Sequence, residues 1–355
     1  MKKLKLVGVI ILIVLISLLL FSGKGRDLNN EPAFSNRSGT AIILTGAAAR
    51  IPQEAGLLEE LYNRGLLKDV VFISGVSSGA LNAVILNAIL SGKMTWEEYK
   101  EILFNLKNSD IFIQDGKRKL PVNTQPARNF FTKIVEERLG YHQIGDLPFM
   151  TSISFTHLKD LDLKKNVYRM CSRKINEETD TTLNLVDIMM ASTSFPIAFP
   201  AVRIRNVKTI PDVKYVDGGI GDDHIPYHSL LEFERARGKG VAKVYIISRK
   251  SDSIPEVSEE LKGLGIDDKG RFDKMGISLD HILKKGMIKR LIDFSIEAPE
   301  MIPLSSVWIP EFENDFLMFN FNNLKEQYTV TSKWAKTHDP IPLGDYLLFN
   351  RKKKK

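Results

Sequence analysis

The segment from residue 69 to residue 90 most strongly limits what this chain can fold into. It opens with Asp69-Val70-Val71-Phe72-Ile73, a short apolar run suited to a strand buried on both faces. The glycine-rich Gly75-Val76-Ser77-Ser78-Gly79 follows, and an apolar helical pattern then runs from Gly79 to Leu90. The order of strand, tight turn and helix favours an α/β fold with a mainly parallel sheet.

The rest of the chain agrees with this class. A short apolar strand, 40–44, precedes a helical pattern that ends at Arg64-Gly65. Further strand patterns occur at 151–155, 166–171, 213–216 and 241–247. The last hundred residues predict helices and one strand, 316–321, packed on the same core.

Composition excludes several classes of protein. The 355 residues include 43% hydrophobic and 26% charged side chains, which is typical of a soluble globular body. The net charge of +7 is concentrated at the two ends, so the body offers no basic face for nucleic acid. Cys171 is the single cysteine, which excludes an intramolecular disulfide and a CxxC zinc site.

The amino terminus carries a hydrophobic segment after three lysines. Leu6 to Phe21 is interrupted only by Gly8 and Ser17, and extension through residue 23 brings it to roughly the length that spans a bilayer. Residues 23–25 form a poor cleavage site, so the sequence favours an uncleaved membrane anchor over a signal peptide. The charge balance weakly favours a catalytic domain outside the cytoplasm. Secretion after cleavage stays open.

These observations give four predicted segments. Residues 1–23 form the anchor or signal peptide, and the polar residues 24–38 form a linker. Residues 39–350 form the catalytic domain, with its motifs between 40 and 250. Residues 351–355 form a basic tail. The sequence favours a solvated end, and contact with anionic lipid headgroups is the alternative.

Ser77 is the predicted nucleophile of a serine hydrolase. Its segment matches G-x-S-x-G and lies between a buried strand and an apolar helix, the setting that a nucleophile elbow requires. Gly75 and Gly79 would let the neighbouring backbones approach closely. The helix start would supply N–H groups where an oxyanion forms. A glycine-rich turn with an incidental serine is the alternative.

Asp217, in Asp217-Gly218-Gly219 after a strand pattern, is the more economical candidate for the base. His224 and His228 are near it in sequence, so an α/β-hydrolase with a histidine base stays open. That fold usually places several strands before the elbow, whereas here one strand precedes the elbow's own strand.

Three blocks in this order resemble the patatin-like phospholipase family. The first is Leu44-Thr45-Gly46-Ala47-Ala48-Ala49-Arg50, which is similar to the family's glycine-rich oxyanion loop ending in arginine. The second is the elbow with Ser77, and the third is Asp217-Gly218-Gly219. The Ala-Ser-rich segment 191–200 also resembles the family, and the likeness extends over residues 40–250.

The resemblance implies a three-layer α/β/α fold and a Ser77–Asp217 dyad that needs neither metal nor cofactor. It implies hydrolysis of fatty acyl esters through a covalent acyl-enzyme, of the phospholipase A or lysophospholipase type. Membrane phospholipid or another fatty acyl ester would be the substrate. The backbone of Gly46, Ala47 and Ala48 would form the oxyanion hole. Arg50 would support this loop or, as the second interpretation, touch a substrate phosphate.

The first block departs from the family pattern, because three alanines follow Gly46. Alanine keeps its backbone N–H but resists positive φ by roughly 1 kcal/mol. The loop therefore either forms at ordinary φ or makes a weaker oxyanion hole. A second class of function follows: a catalytically reduced patatin-like protein that binds lipid or a partner at the membrane.

Overall fold

A mostly parallel sheet forms the centre of the computed structural model. The model describes residues 34–46, 48–113, 121–157, 166–196, 198–221, 223–250, 286–313 and 316–353. The predicted anchor at 1–23 and most of the predicted linker lie outside these ranges. Within them, no helix has both the length and the apolar character needed to cross a bilayer.

The sheet is built from nine strands of the described chain. They are β1 (Thr40–Leu44), β2 (Val70–Val76), β3 (Met150–His157), β4 (Val167–Cys171), β5 (Val202–Arg203), β6 (Lys214–Asp217), β7 (Lys243–Ile247), β8 (Ser305–Trp308) and β9 (Ile341–Pro342). Their order is β5-β6-β3-β2-β1-β7-β8-β9, and β4 also pairs with β3. The central pairs, from β3 through β2, β1 and β7 to β8, are parallel. The predicted α/β class with a mainly parallel sheet is confirmed.

Ten α-helices of the described chain connect or cover these strands. They are α1 (Ile51–Asn63), α2 (Ser78–Leu90), α3 (Trp96–Asn105), α4 (Asn108–Ile111), α5 (Gln125–Phe131), α6 (Leu185–Ser192), α7 (His228–Arg237), α8 (Met287–Glu297), α9 (Leu324–Ala335) and α10 (Leu343–Lys353). A π-helical stretch, Thr132–Arg138, continues α5. The last helix thus includes the first three residues of the predicted basic tail.

Strand β1 separates two hydrophobic cores. Ile42 and Leu44 pack into the larger core with α1, α2 and α6, whereas Ala41 and Ile43 pack into the second core with α7, α8 and α10. Successive side chains of a strand point to opposite faces, so a strand buried on both faces needs a continuous apolar run. The unbroken pattern at 40–44 therefore matches a sheet that is covered on both sides.

Two strand predictions need correction. Strand β2 continues to Val76, three residues beyond the predicted run, and so leads directly into Ser77. The predicted strand at 316–321 is wrong, because this segment forms turns. Its carbonyl groups accept hydrogen bonds from another loop instead of a sheet neighbour, and Phe319 and Phe321 line a cavity.

Candidate active site

Ser77 occupies a strained turn between β2 and α2. Its φ of 56° and ψ of −132° lie in a region that non-glycine residues rarely adopt. The backbone N–H of Ser77 donates to Ser192 Oγ over 2.9 Å, and Ser192 Oγ donates to the Ser154 carbonyl over 2.7 Å. Ser192 is the last residue of α6 and belongs to the Ala-Ser-rich segment. Its hydroxyl links the elbow after β2 to the neighbouring strand β3.

Gly75 and Gly79 allow this turn through close backbone contact. A Cβ on Gly75 would lie 2.4 Å from the Gly79 carbonyl oxygen, and a Cβ on Gly79 would lie 2.5 Å from the Thr45 carbonyl oxygen. Both distances are far below van der Waals contact. The two glycines therefore bring β2, α2 and the loop after β1 together around Ser77.

Asp217 ends β6 and is 5% exposed. Burial raises the pKa of its carboxyl group to about 6, and hydrogen bonding from the Ser77 side chain and the Gly219 backbone opposes this rise. The Gly219 N–H donates to Asp217 Oδ1 over 2.8 Å. A Cβ on Gly218 would lie 2.8 Å from the Ser154 backbone, so this glycine lets β6 approach β3 closely.

The pKa of Asp217 predicts the pH dependence of any reaction that uses it as a base. Only the ionised carboxylate accepts a proton, so kcat/KM for an uncharged ester should rise through pH 6 and level off above it. Initial rates on a fatty acyl ester between acidic and weakly alkaline pH would measure this. A profile that is flat through this region, or that falls as the pH rises, would contradict the assignment.

The loop after β1 lies against Ser77. A Cβ on Gly46 would be 3.2 Å from Ser77 Cβ, and both Gly46 and Ala48 line the cavity that contains Ser77. Ala48 has a φ of 48°, so at this alanine the loop does not form at ordinary φ. The strain there is roughly 1 kcal/mol. Ala47, the remaining predicted oxyanion residue, lies outside the described residues.

The carboxyl-terminal part of the chain holds this loop. The Ala49 N–H donates to the Met318 carbonyl over 2.7 Å, and Arg50 Nε donates to the Phe316 carbonyl over 2.7 Å. Gln327 Nε2 in α9 donates to the Ala49 carbonyl over 3.1 Å. Arg50 is 6% exposed, so its observed contacts favour the loop-supporting interpretation over a phosphate contact.

A buried amide pair extends this support. Gln53 Nε2 donates to Gln327 Oε1 over 3.1 Å, and the Lys250 N–H donates to Gln53 Oε1 over 2.9 Å. Both glutamines are at most 1% exposed. The pair therefore links α1, α9 and the chain after β7 to the exit of the loop.

Gln327→Leu tests whether this support positions the loop. The change removes the hydrogen-bond partner of the buried Gln53 Nε2 and of the Ala49 carbonyl, which should lower the free energy of unfolding by about 1–3 kcal/mol. A displaced loop should also lower kcat by about tenfold or more. Urea unfolding and initial rates would measure both, with the exposed Lys325→Ala on the same helix as the control. Equal kcat values in the two variants would contradict a positioning role.

Thr45, at the start of the loop, belongs to a second buried network. Its hydroxyl lies 3.1 Å from Glu54 Oε1 and 2.7 Å from Ser248 Oγ. Asn82 Nδ2 donates to Glu54 Oε2 over 3.1 Å. Burial raises the pKa of Glu54 to about 8, so this carboxyl group is mostly protonated at neutral pH.

The two histidines near Asp217 have different surroundings. His228 Nδ1 lies 3.3 Å from Asp223 and its Nε2 lies 3.3 Å from Glu297. His224 lines the cavity, and within the described part of the chain its buried Nδ1 has no hydrogen-bond partner. Burial, together with the charges of Arg290 and Arg249, holds the pKa of His224 well below its usual range.

The cavity at Ser77 has a volume of about 1070 Å³, counting its open mouth. Asp217 lines it together with Ser77, and Phe319 contacts Phe195 and Phe199 edge-on at centroid distances of 6.0 and 5.9 Å. Most of its wall is apolar: Leu81, Leu106, Ile111, Phe130, Phe131, Met190, Phe195, Phe199, Met318, Phe319 and Phe321. Such a wall suits an extended hydrocarbon chain.

The sequence model of the patatin-like phospholipase family matches residues 42–231 of this chain. This chain belongs to the patatin-like phospholipase family. It is therefore a lipid hydrolase by family. The matched range includes the elbow, the loop after β1 and Asp217, but it ends before the carboxyl-terminal residues that hold the loop of this patatin-like domain.

Solved structures similar to this patatin-like chain include two bacterial proteins. VipD from Legionella pneumophila is 12% identical with a TM-score of 0.42, over 86% of this chain and 68% of VipD. Full-length ExoU from Pseudomonas aeruginosa, in complex with SpcU, is 14% identical with a TM-score of 0.31, over 75% of this chain and 60% of the other. A further structure, of the type III effector ExoU, has 54% of its length covered, so the match spans little more than half of that protein. A search of curated proteins gives no match.

Sequence reasoning missed several residues of the site. Ser192 lies in a segment that the sequence had singled out, although its contact with the elbow was not predicted. Glu54 and Gln327 carry no local signal, because each resembles an ordinary polar position of an amphipathic helix. The aromatic segment 316–321 gave a signal that was misread as a strand.

Proposed function

We propose that this protein hydrolyses fatty acyl esters of the phospholipase A or lysophospholipase type, with Ser77 as nucleophile and Asp217 as base. The observation that carries the proposal is a strained serine beside a buried carboxylate in an apolar cavity. A strained elbow exposes a hydroxyl for attack. A carboxyl group with a raised pKa is a better base near neutral pH than an exposed aspartate.

The mechanism follows from these positions. Asp217 accepts the Ser77 hydroxyl proton while Ser77 Oγ attacks the ester carbonyl carbon. Backbone N–H groups of the loop after β1 and of the start of α2 stabilise the oxyanion. The ester C–O bond then breaks, and Asp217 returns the proton to the departing alcohol. Water repeats these steps on the acyl-enzyme and releases the fatty acid.

Direct labelling and product analysis test this function. A fluorophosphonate probe should label the full-length protein at Ser77, and the protein should release fatty acid from lysophospholipid. Both signals should disappear in Ser77→Ala and persist in Ser35→Ala, which changes an exposed serine. Release of fatty acid by Ser77→Ala at the unmodified rate would overturn the proposal.

The strained Ala48 favours one alternative function, a catalytically reduced protein that binds lipid. In that case the cavity would bind an acyl chain but the oxyanion would be poorly stabilised. Binding of a fluorescent fatty acid without probe labelling at Ser77 would support this alternative. Probe labelling at a rate typical of serine esterases would exclude it.

We also propose that residues 6–23 attach the protein to a membrane with the catalytic domain outside the cytoplasm. The support is the length and apolar character of this segment. Recovery of the full-length protein in the membrane fraction after alkaline washing, with the domain accessible to external protease, is the expected result. A soluble product that lacks these residues would support secretion after cleavage instead.

A further inference from the structure

Glu54 is a buried carboxyl group that the proposed mechanism does not use. It lies in the first turn of α1 and is 0% exposed. One of its oxygens faces the loop after β1, and the other faces α2. Oε1 lies 3.1 Å from the Thr45 hydroxyl, and Oε2 accepts a hydrogen bond from Asn82 Nδ2 over 3.1 Å. The carboxyl group therefore bridges the two segments that meet at Ser77.

Asn82 in α2 presents its amide nitrogen to Glu54. The same nitrogen lies 3.2 Å from the Ile51 carbonyl, which can only accept, so the atom in this position must be Nδ2 and not Oδ1. The Tyr99 hydroxyl then donates to Asn82 Oδ1 over 2.6 Å. Asn82 and Tyr99 are each 1% exposed. The orientation of the Asn82 amide is thus fixed by two buried hydrogen bonds besides the one to Glu54.

This orientation determines where the proton of Glu54 lies. Oε2 is engaged by an amide donor, so the proton of the neutral carboxyl group belongs on Oε1, where the Thr45 hydroxyl can accept it. Thr45 then donates its own proton to Ser248 Oγ, 2.7 Å away. A carboxylate can only accept, so ionisation of Glu54 would make Thr45 donate to it and Ser248 donate to Thr45. The protonation state of Glu54 therefore sets the direction of a buried chain of hydroxyl groups.

The surroundings of Glu54 favour its neutral form. Burial raises its pKa to about 8, and hydrogen bonds from Asn82 and Thr45 and the charge of Arg249 oppose this rise. Its described contacts with the loop after β1 and with α2, Thr45 and Asn82, are neutral side chains. On α3, burial and the charge of Glu54 raise the pKa of Tyr99 well above its usual range, so its phenol is neutral as well.

Thr45 connects this carboxyl group to the loop after β1. Its N–H donates to the Ile247 carbonyl over 3.3 Å, and a Cβ on Gly79 would lie 2.5 Å from its carbonyl oxygen. Gly46, the next residue, lines the cavity, and a Cβ on it would lie 3.2 Å from Ser77 Cβ. A shift of Thr45 would therefore move the N–H groups of the loop relative to the nucleophile.

We propose that Glu54 is a positioning residue for this reaction, and that its neutral carboxyl group holds the loop after β1 against the start of α2. This inference rests on the proposed function and adds to it a residue that does not line the cavity. Neutral Glu54 donates to Thr45 on the loop and accepts from Asn82 on the helix. Ionised Glu54 is a buried charge with a reversed hydroxyl chain, so the loop is displaced and the oxyanion is stabilised less well.

Glu54→Gln and Glu54→Leu test this role together. Glutamine has the hydrogen-bond pattern of the neutral acid, because its amide nitrogen can donate to Thr45 while its oxygen accepts from Asn82. Its kcat at pH 7 should stay within about twofold of the unmodified protein. Leucine keeps neither bond and should lower kcat by about tenfold or more, with KM changed by less than about threefold. An equal loss in both variants, or no loss in Glu54→Leu, would overturn the proposal.

The pH profile separates positioning from a general loss of packing. In the unmodified protein the rise of kcat/KM through pH 6, due to Asp217, should be followed by a fall through about pH 8 as Glu54 ionises. Glu54→Gln should keep the rise and lose the fall, so at about pH 9 it should be about tenfold more active than the unmodified protein. A fall near pH 8 that persists in Glu54→Gln would overturn the assignment.

Glu60→Gln is the matched control for these kinetic measurements. It makes the same change in the same helix, at a carboxyl group that pairs with Arg64 over 2.9 Å on the surface of α1. It should keep the kcat of the unmodified protein and both limbs of the pH profile. Loss of the alkaline limb in Glu60→Gln would show that Glu54 is not its source and would overturn the proposal.

Hydrogen exchange tests the positioning role without turnover. At pH 7 the amides of residues 45–50 in full-length Glu54→Leu should exchange about tenfold faster than in the unmodified protein, whereas Glu54→Gln and Glu60→Gln should match it. Equal protection of this segment in Glu54→Leu would overturn the proposal. If the unmodified protein hydrolyses no fatty acyl ester, the proposed function fails, and the exchange rates still decide the role of Glu54.

A second exchange measurement covers the case in which Glu54→Leu does not fold. Above pH 8 the segment 45–50 of the unmodified protein should lose protection relative to its intrinsic exchange rate, because Glu54 is then ionised. Glu54→Gln should keep its protection across the same range. Equal protection of the two proteins on both sides of pH 8 would overturn the proposal.

Discussion

Asp217→Asn is expected to lower kcat for a fatty acyl ester by about a thousandfold or more, since general base catalysis contributes about two to four orders of magnitude. The amide oxygen of asparagine can still accept the Gly219 N–H, so the turn after β6 should persist. It cannot accept the Ser77 proton. Because nucleophile and base act as a unit, their losses should not add, and the double variant should be about as inactive as Ser77→Ala alone.

The same substitution should not weaken the fold. The folded pKa of Asp217 is about 6, above the ordinary value of 3.8, so the folded state loses stability as the pH rises from 3.8 through 6. Above this window the ionised carboxylate costs up to about 3 kcal/mol, which the neutral asparagine avoids. Denaturant unfolding at neutral pH should therefore show an equal or higher free energy of unfolding.

Asp212→Asn is the matched control for this prediction. Asp212 precedes the same strand, and its side chain is 64% exposed. Its replacement should leave kcat within about twofold of the unmodified protein, as expected of a surface change away from the site. Comparable activity in Asp217→Asn and Asp212→Asn would refute Asp217 as the base.

Gly75→Ala is expected to destabilise the protein by about 3 kcal/mol or more, at the upper end of the range for overpacking. The added methyl group would lie 2.4 Å from the Gly79 carbonyl oxygen and 2.9 Å from the Ala80 nitrogen. Both are backbone atoms at the start of α2, so no side-chain rotation relieves the clash. Relief requires movement of the helix start, which would also displace Ser77 and remove activity.

Thermal and denaturant unfolding of Gly75→Ala would measure this effect. Gly286→Ala provides the control, because a Cβ at Gly286 would meet no atom of the described residues within 4 Å and its φ of −56° suits alanine. The control should change the free energy of unfolding by less than about 0.5 kcal/mol. A similarly small change for Gly75→Ala would show that the elbow tolerates a side chain and that its glycine has another role.

The site concentrates features that oppose folding. Ser77 and Ala48 adopt positive φ, Asp217 and Glu54 are buried with raised pKa values, and His224 Nδ1 lacks a partner in the described part of the chain. Each feature lowers the free energy of unfolding. Their clustering in and behind one cavity is expected where a protein positions reactive groups rather than maximises stability.

Local sequence patterns were sufficient for the central fold. A strand buried on both faces needs a continuous apolar run, and the runs at 40–44 and 241–247 were read as parallel-sheet strands for this reason. The elbow was also readable, because its two glycines and its position between strand and helix have a direct steric meaning. Ser77 and Asp217 were singled out together, and the tertiary structure brings them into contact across the sheet.

Residues whose contacts leave no periodic pattern in the sequence were not predictable in this way. The segment 316–321 has a strand-like composition, yet its carbonyl groups accept hydrogen bonds from Ala49 and Arg50, and Phe319 and Phe321 line the cavity. Gln327 and Gln53 meet across 274 residues of chain, so only the packing of α9 on α1 pairs them. Contacts of this kind depend on three-dimensional proximity, which spacing along the chain does not encode.

The sequence by itself determined that this protein has a mainly parallel α/β sheet, and it singled out Ser77 and Asp217. It did so because strand burial, tight turns and helix starts leave local patterns in residue type. Only the tertiary structure decided how the loop after β1 is held, that Ala48 is strained, and that His224 and Arg249 line the cavity. Those features arise where distant segments meet, and their energetics depend on burial and neighbouring charge rather than on local sequence.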